Sequence, residues 1–423
     1  MAKDQGQSVW AYLPDDLLLL VLRCLASLAD RIRAGAVCRP WRSAASKLPP
    51  RLPWVVFGNG TLFELANDSA PHPHHRLRLP DDCWRYSAGE NMLFLVHQRD
   101  GSCSLLNALS GARTDLPELA GLLRTYNVRH RRLRNELSRI PHNLNDLRRM
   151  PRNELRRIFR SQQDQTEPPM KAIRKVVVSS SASDDEPIVV AVLIGRDVIV
   201  STCRPAGESN SFLLGALRHD AVDIALFQGK IYALSRGHVL ETLDLSTGHQ
   251  KGFKLKYSTE LMIKHPWQNH HHQDFQDGFP LVEMYLVESG GKLLMVKRWL
   301  RRPWMRMPSS PDADGRRTFR FEVWEADLNE GRWKKLDGSL EDQALFVSRP
   351  CSKSLPAGNG VQGDCIYFLN KLYQWKQPEA PLGDSGVYSI RDKAFTTLLR
   401  ESMPSLSWKS ERFPSWFFPI QFN

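Results

Sequence analysis

Apolar and polar positions change rhythm twice along this chain. Between Leu13 and Trp41 the apolar residues crowd together: LLLLVL at 17–22, then Cys24, Leu25 and Leu28, then Val37, Cys38 and Trp41. Leu17, Leu20, Val21 and Leu25 fall at helical spacing on one stripe. The pair Leu13-Pro14, followed by Asp15 and Asp16, suits a helix start. Proline fits the first turn, and carboxylates are favoured at the positive end of the helix dipole. A module spanning 10–50 is too short to cover this much apolar surface, because domains below about 70–80 residues rarely hold a sufficient core. It calls for a partner.

From Trp54 onward the rhythm becomes short alternating runs divided by turn residues, which is the pattern of strands. The clearest unit, 222–255, holds four runs separated by Gln228-Gly229-Lys230, Arg236-Gly237 and Ser246-Thr247-Gly248. Glycine at such points supplies the positive φ of tight hairpins. A similar layout occupies 84–117, with weaker copies at 175–217, 282–336 and 344–399. Residues 54–79 form an incomplete unit that lacks a leading strand, and the C-terminal SWFFPIQF is placed to supply it. Four-strand units recurring every ~40–50 residues predict a β-propeller over 54–423, and counting them gives six blades. One blade cannot bury both faces, so the blades must close into a ring. A β-rich domain of other topology, such as a sandwich, remains open on the pattern alone.

Two of the units carry enlarged hairpins, at 299–317 and 370–385, and one longer insert spans about 118–174. Within it Leu133, Leu137, Ile140, Leu144 and Leu147 advance by alternating four- and three-residue steps, which puts them on one helical face. Pro141 and Pro151 divide it into short helices.

Charge sharpens the picture of that insert. The net charge is +12, yet residues 124–175 alone hold 15 Lys/Arg against 5 Asp/Glu, and the remaining 43 and 41 nearly cancel. Arg129, Arg131, Arg132, Arg134, Arg148, Arg149, Arg156 and Arg157 make it a basic docking patch for a nucleic-acid backbone or an acidic partner. A solvated loop without special role is the competing reading. Its only aromatics, Tyr126 and Phe159, offer no stacking platform for single strands.

The seven cysteines (24, 38, 83, 103, 203, 351 and 365) contain no CxxC pair, which predicts free thiols in a reducing compartment. The N-terminus lacks the apolar segment of a signal peptide, and the run at 17–22 is shorter than the ~20 residues of a membrane span. The expectation is a nuclear or cytoplasmic protein without membrane contact.

The 13–42 stretch resembles an F-box, the segment that docks a protein onto a Skp-type adaptor of a cullin ubiquitin ligase. The resembling residues are Leu13-Pro14-Asp15-Asp16-Leu17-Leu18, Val21-Leu22, Leu25 and the closing VCRPWR. The resemblance implies a three-helix module whose adaptor-facing residues are Leu13, Pro14, Asp16, Leu17, Leu20, Val21, Leu25, Val37, Cys38 and Trp41. Followed by IRKVVVSS, DIALFQGKIYALS, FEVWEADL, LEDQALFVSRPCSKSL and a terminal WFFP, the chain is similar to plant F-box proteins carrying a kelch-like domain of unknown function. That implies a mainly β chain with a kelch-like, six-bladed propeller behind the F-box. It further implies a substrate receptor that holds an unnamed target protein and reaches a cullin through the adaptor. The Arg-rich insert departs from the family pattern.

No bond chemistry is legible. GxxxxGK[ST], GxGxxG after a strand, GxSxG and HExxH are all missing, so neither catalytic residues nor a cofactor are expected. His270-His271-His272 and His72, His74, His75 read as polar hairpin tips, and no metal site is expected. The alternative function is a nucleic-acid-associated or nuclear interaction protein acting through the insert.

Overall fold

The computed structural model describes residues 13–25, 33–47, 53–56, 61–64, 73–76, 82–108, 111–126, 173–179, 188–203, 209–214, 219–247, 255–263, 281–301, 317–358, 360–369, 384–398 and 414–418. The eight arginines of the basic patch, His270–His272 and His72 lie outside them, whereas His74 and His75, expected at a hairpin tip, fall within a strand at 73–76.

Among the described residues the N-terminal module shows two helices, α1 (Asp15–Cys24) and α2 (Arg39–Ser46), with a helical turn at 33–35 between them. Pro14 caps α1 in an extended conformation, and its carbonyl accepts from the Leu17 and Leu18 amides at 3.0 and 3.1 Å. Asp15 and Asp16 occupy the first turn and Arg23 the last, each matching the sign of the dipole there. Lys47 at the end of α2 pairs with Asp15 at 2.5 Å, across the surface of the module.

Most of the other described residues are strand, arranged as sheets about a ring. β1 (Trp54–Val56), β2 (Thr61–Glu64) and β3 (Pro73–Arg76) form the first sheet together with the C-terminal β25 (Ser415–Phe417). β4 (Cys83–Ser87), β5 (Met92–His97), β6 (Cys103–Asn107) and β7 (Arg113–Asp115) follow. Next come β8 (Ile173–Val178), β9 (Ile188–Ile194), β10 (Asp197–Cys203) and β11 (Ser209–Leu214); then β12 (Ala221–Phe227), β13 (Lys230–Ser235), β14 (Leu240–Thr247) and β15 (Leu255–Ile263); then β16 (Leu281–Ser289), β17 (Lys292–Leu300), β18 (Thr318–Asp327) and β19 (Arg332–Leu336). Each of these five sheets is a four-stranded antiparallel meander, the regular form of a propeller blade. At the β12–β13 hairpin both Gln228 (φ 47°) and Gly229 (φ 72°) are left-handed, as a type I′ turn requires.

The sixth sheet breaks the pattern. It holds five strands in the order β21 (Ser352–Pro356), β20 (Gln343–Val347), β22 (Cys365–Phe368), β23 (Gly386–Ser389) and β24 (Phe395–Thr397). β20 and β22 run parallel, because the β20–β21 hairpin folds back at the edge and the chain crosses to β20's other side. The expected six-bladed, kelch-like propeller is therefore corrected to one of five blades. Five blades have the regular form, and the 343–397 sheet is a mixed one that equal turn spacing could not reveal.

A helix, α3 (117–126), follows β7 inside the stretch read as the basic insert. Leu119, Ala120, Leu123 and Tyr126 are buried in the core shared by the β4–β7 and β8–β11 sheets, and the Tyr126 hydroxyl donates to the Ile194 carbonyl at 3.4 Å. The opening of the insert is thus part of the propeller core. Among the described residues no helix is long and apolar enough to cross a membrane.

Candidate functional site

Two of the residues that hold the N-terminal module together are not on the expected stripe. Leu18 and Leu22, one turn apart, are fully buried against Trp41, Ala44 and Ala45. Leu13, Val21, Leu25 and Cys38 are half-buried and lean on that core. Trp41, expected at the adaptor surface, instead contributes its ring to the module's interior. Leu17, Leu20 and Val37 remain 49%, 61% and 73% exposed, and Pro14 and Asp16 are exposed beside them. Among the described residues only five large apolar side chains are this open, and three belong to this small module. Among its described residues the module has a packed core and still presents apolar surface beside it.

The sequence missed Leu18 and Leu22 because four consecutive leucines give a helix no phase. The signal that could have found them is the opposing Ala44-Ala45 pair, whose small side chains leave room for two leucines.

The inner strands of the ring carry buried ions. Lys175 of β8 donates to Asp223 of β12 at 2.8 Å and to the Leu286 carbonyl of β16 at 3.2 Å, while the Leu286 amide donates to Asp223 at 2.6 Å. Both charged residues sit at β-bulges, which re-aim a side chain out of the regular alternation. Burial pushes the Asp223 carboxyl up, and the Lys175 ammonium opposes it. This pair stitches three neighbouring sheets.

A second buried network involves Arg298 of β17. Its guanidinium donates to the Thr318 hydroxyl, the Leu369 carbonyl and the Asp384 carbonyl, each at 2.8 Å, and to the Asp384 carboxylate at 3.0 Å. Asp384 in turn accepts from the Thr318 and Arg317 amides at 2.9 and 3.2 Å. These residues stand at the roots of both enlarged hairpins, so the clamp brings those roots together.

A cleft of about 360 Å³ opens in the mixed sheet among Asp342, Gln362, Asp364, Cys365, Arg391 and Asp392. Burial opposes ionisation of Asp364, but the Leu340 amide (2.5 Å), the Ser339 hydroxyl (3.1 Å) and Arg391 (2.6 Å) together hold its carboxyl below the usual range. All seven cysteines are free thiols, and burial pushes Cys103 up to about 12, which keeps it inert.

Comparison with known proteins decides what this architecture is. A family model described as the KIB1-4 β-propeller matches residues 62–389. The chain belongs to that family. An F-box-like model matches residues 10–48, in register with the helical module. This KIB1-4 propeller protein is 23% identical over 368 residues to the F-box protein At2g26160 of Arabidopsis thaliana, covering 86% of this chain and 96% of the relative. It is 53% identical over 46 residues to the F-box protein At2g17036 of Arabidopsis thaliana, covering 11% of each. Solved structures similar to it include the Cps50 (Swd1) β-propeller domain of Myceliophteria thermophila, at 9% identity, TM-score 0.27, and 70% and 89% coverage of the two chains. Another is the N-terminal domain of Nup159, at 6% identity, TM-score 0.31, and 86% and 84% coverage. The family is that of the KIB1-4 propeller rather than the kelch type.

Proposed function

We propose that this protein is the substrate-recognition subunit of a Skp–cullin–F-box ubiquitin ligase. The F-box-like module would bind a Skp-type adaptor, and through it a cullin, while the propeller holds a target protein. One observation carries the reading: Leu17, Leu20 and Val37 stay exposed while Leu18, Leu22, Trp41, Ala44 and Ala45 pack together beneath them. Burying a Leu or Val side chain fully is worth about 1.5–3 kcal/mol, so a few such residues can anchor a complex. The receptor itself makes and breaks no bonds. It would raise the effective concentration of a substrate lysine near the conjugating enzyme. Free thiols suit placement in the nucleus or cytoplasm.

The test is co-purification of the full chain with a Skp-type adaptor. Leu17→Ala with Leu20→Ala should weaken binding by about 2–4 kcal/mol while leaving thermal unfolding unchanged. Undiminished adaptor capture by that double variant would sink the assignment. The +10 charge balance of 124–175 supports a second partner class, a nucleic-acid backbone. That reading requires affinity that falls steeply with salt and disappears when 127–172 is removed.

A further inference from the structure

At the end of β4 nearest the 98–102 turn, three metal-ligating side chains of different kinds meet. Cys83 and His97 are directly opposite one another on β4 and β5, and Asp82 immediately precedes Cys83. The Cys83 sulfur lies 3.0 Å from His97 Nδ1 and 4.0 Å from Asp82 Oδ1, and His97 Nδ1 lies 3.7 Å from the same carboxylate oxygen. We propose that Asp82, Cys83 and His97 form a binding site for one divalent transition-metal ion of zinc-like chemistry.

An ion can touch two donors only if their separation does not exceed the sum of the two bonds. With bonds of about 2.3 Å to sulfur and 2.0–2.2 Å to nitrogen or oxygen, those limits are about 4.2–4.5 Å, and all three separations fall inside them. A tetrahedral ion would widen the sulfur–nitrogen pair by only a few tenths of an ångström. Thiolate, imidazole and carboxylate together form a donor set that suits Zn²⁺ and not Mg²⁺ or Ca²⁺, which take oxygen ligands. The cysteine is fully buried, while the His97 and Asp82 side chains are 18% and 38% exposed, so an ion has an entry path from their side. Three protein ligands leave a fourth position for water.

The surrounding charges are compatible. Arg99 holds Asp82 Oδ2 at 3.2 Å, on the oxygen turned away from the site, and so orients the carboxylate. Arg113 lies 3.3 Å from His97 Nε2 and is itself paired with Asp115 at 2.9 Å. Donation from Arg113 to Nε2 places the imidazole proton on Nδ1; the sulfur lies beside the ring, 3.0 Å from Nδ1 and 3.5 Å from Nε2, so the ring must rotate to aim a nitrogen at an ion. On binding, the Cys83 thiol releases a proton to solvent and the thiolate takes the metal. The Nδ1 lone pair turns to the ion, its proton is carried on Nε2, and the part-exposed Arg113 swings away. The bound ion would pin β4 to β5 at the rim of the ring.

The test uses the full chain, freed of metal with a chelator and titrated with Co²⁺, then with Zn²⁺ in competition. The expected result is one equivalent of Co²⁺ with a thiolate-to-metal charge-transfer band and tetrahedral d–d bands, displaced by Zn²⁺, with affinity rising with pH. Cys83→Ser should abolish the charge-transfer band. Asp82→Asn and His97→Gln should weaken Co²⁺ binding by roughly tenfold or more, and Arg113→Gln should tighten it. Alanine at 270–272 should leave the band intact. Absence of the band in the wild-type chain, or its survival in a folded Cys83→Ser variant, would overturn the site. Should Cys83→Ser fail to fold, the partly exposed Asp82 decides, and unchanged affinity in Asp82→Asn has the same consequence.

Discussion

Adjacent leucines of one helix are assigned to opposite tasks. Leu18 and Leu22 close the module's core, whereas Leu17 and Leu20 face outward. Leu18→Ala should therefore unfold the module at lower denaturant, by about 2–5 kcal/mol, because it opens a cavity that Ala44 and Ala45 cannot fill. Far-ultraviolet circular dichroism during urea unfolding of the adaptor-free chain would measure this. A variant as stable as the wild type would show that Leu18 is not a core residue. The residue scale is also where the sequence was least legible. The LPDDLL opening and the VCRPWR close lie within the residues that the F-box-like model matches, but a run of four leucines carries no helical phase. Trp41 is read as surface for the same reason: an aromatic in a motif signals importance, not direction. Asp82, Cys83 and His97 escaped because they are close only across the β4–β5 pair, fourteen positions apart in sequence for cysteine and histidine.

At the scale of elements, hairpins were visible where glycine or a short polar turn divides two apolar runs, as at Gln228-Gly229. The mixed sheet was not, because β21 reads SKSLP, with no alternation to betray a strand, and the parallel β20–β22 pair is a long-range choice. What such pairing needs is local polar support, and Asp364 supplies it at the turn into β22. Its lowered carboxyl contributes stability that is complete above the ordinary carboxylate range and is lost as the pH falls through the folded-state value. Asp364→Asn should cost about 1–3 kcal/mol at neutral pH. The gap to the wild type should close on acidification, when unfolding midpoints are compared across the acid range. The Arg298–Asp384 pair acts between elements, joining β17 to the strand that begins at Gly386. Arg298→Ala leaves the buried Asp384 uncompensated and should cost about 3–5 kcal/mol. Adding Asp384→Ala should recover part of that loss in a double-mutant cycle; simple additivity would mean the two are not coupled.

For the whole molecule the decisive contact is between the two ends of the propeller. β25 pairs with β1 through Trp54↔Phe417 and Val56↔Ser415, so strands more than 350 residues apart share one sheet. The incomplete unit at 54–79 and the stray apolar SWFFPIQF made this closure readable in advance. Its energetics were not. Trp416 is fully buried, donates to the Val347 carbonyl at 3.1 Å and meets Phe346 edge-on at 5.2 Å, which ties the closing strand to the mixed sheet. On the other side the Phe418 carbonyl accepts from the Asn91 amide at 3.2 Å, and Lys353 pairs with Glu90 beside the Phe418 ring. A strand of three residues, with the Phe418 that follows it, thus joins the first sheet, the mixed sheet and the β4–β5 turn. Trp416→Ala should cost about 3–5 kcal/mol as a cavity, while the Val347 carbonyl keeps the Leu369 amide at 3.3 Å. Because a ring opened at one seam exposes two sheet edges, the loss should appear as cooperative unfolding of the propeller and increased aggregation. Hydrogen exchange would read the distribution. Protection lost in β1, β4 and β20 together marks a closing strand shared by three sheets, while loss confined to β1 would reduce β25 to an ordinary edge.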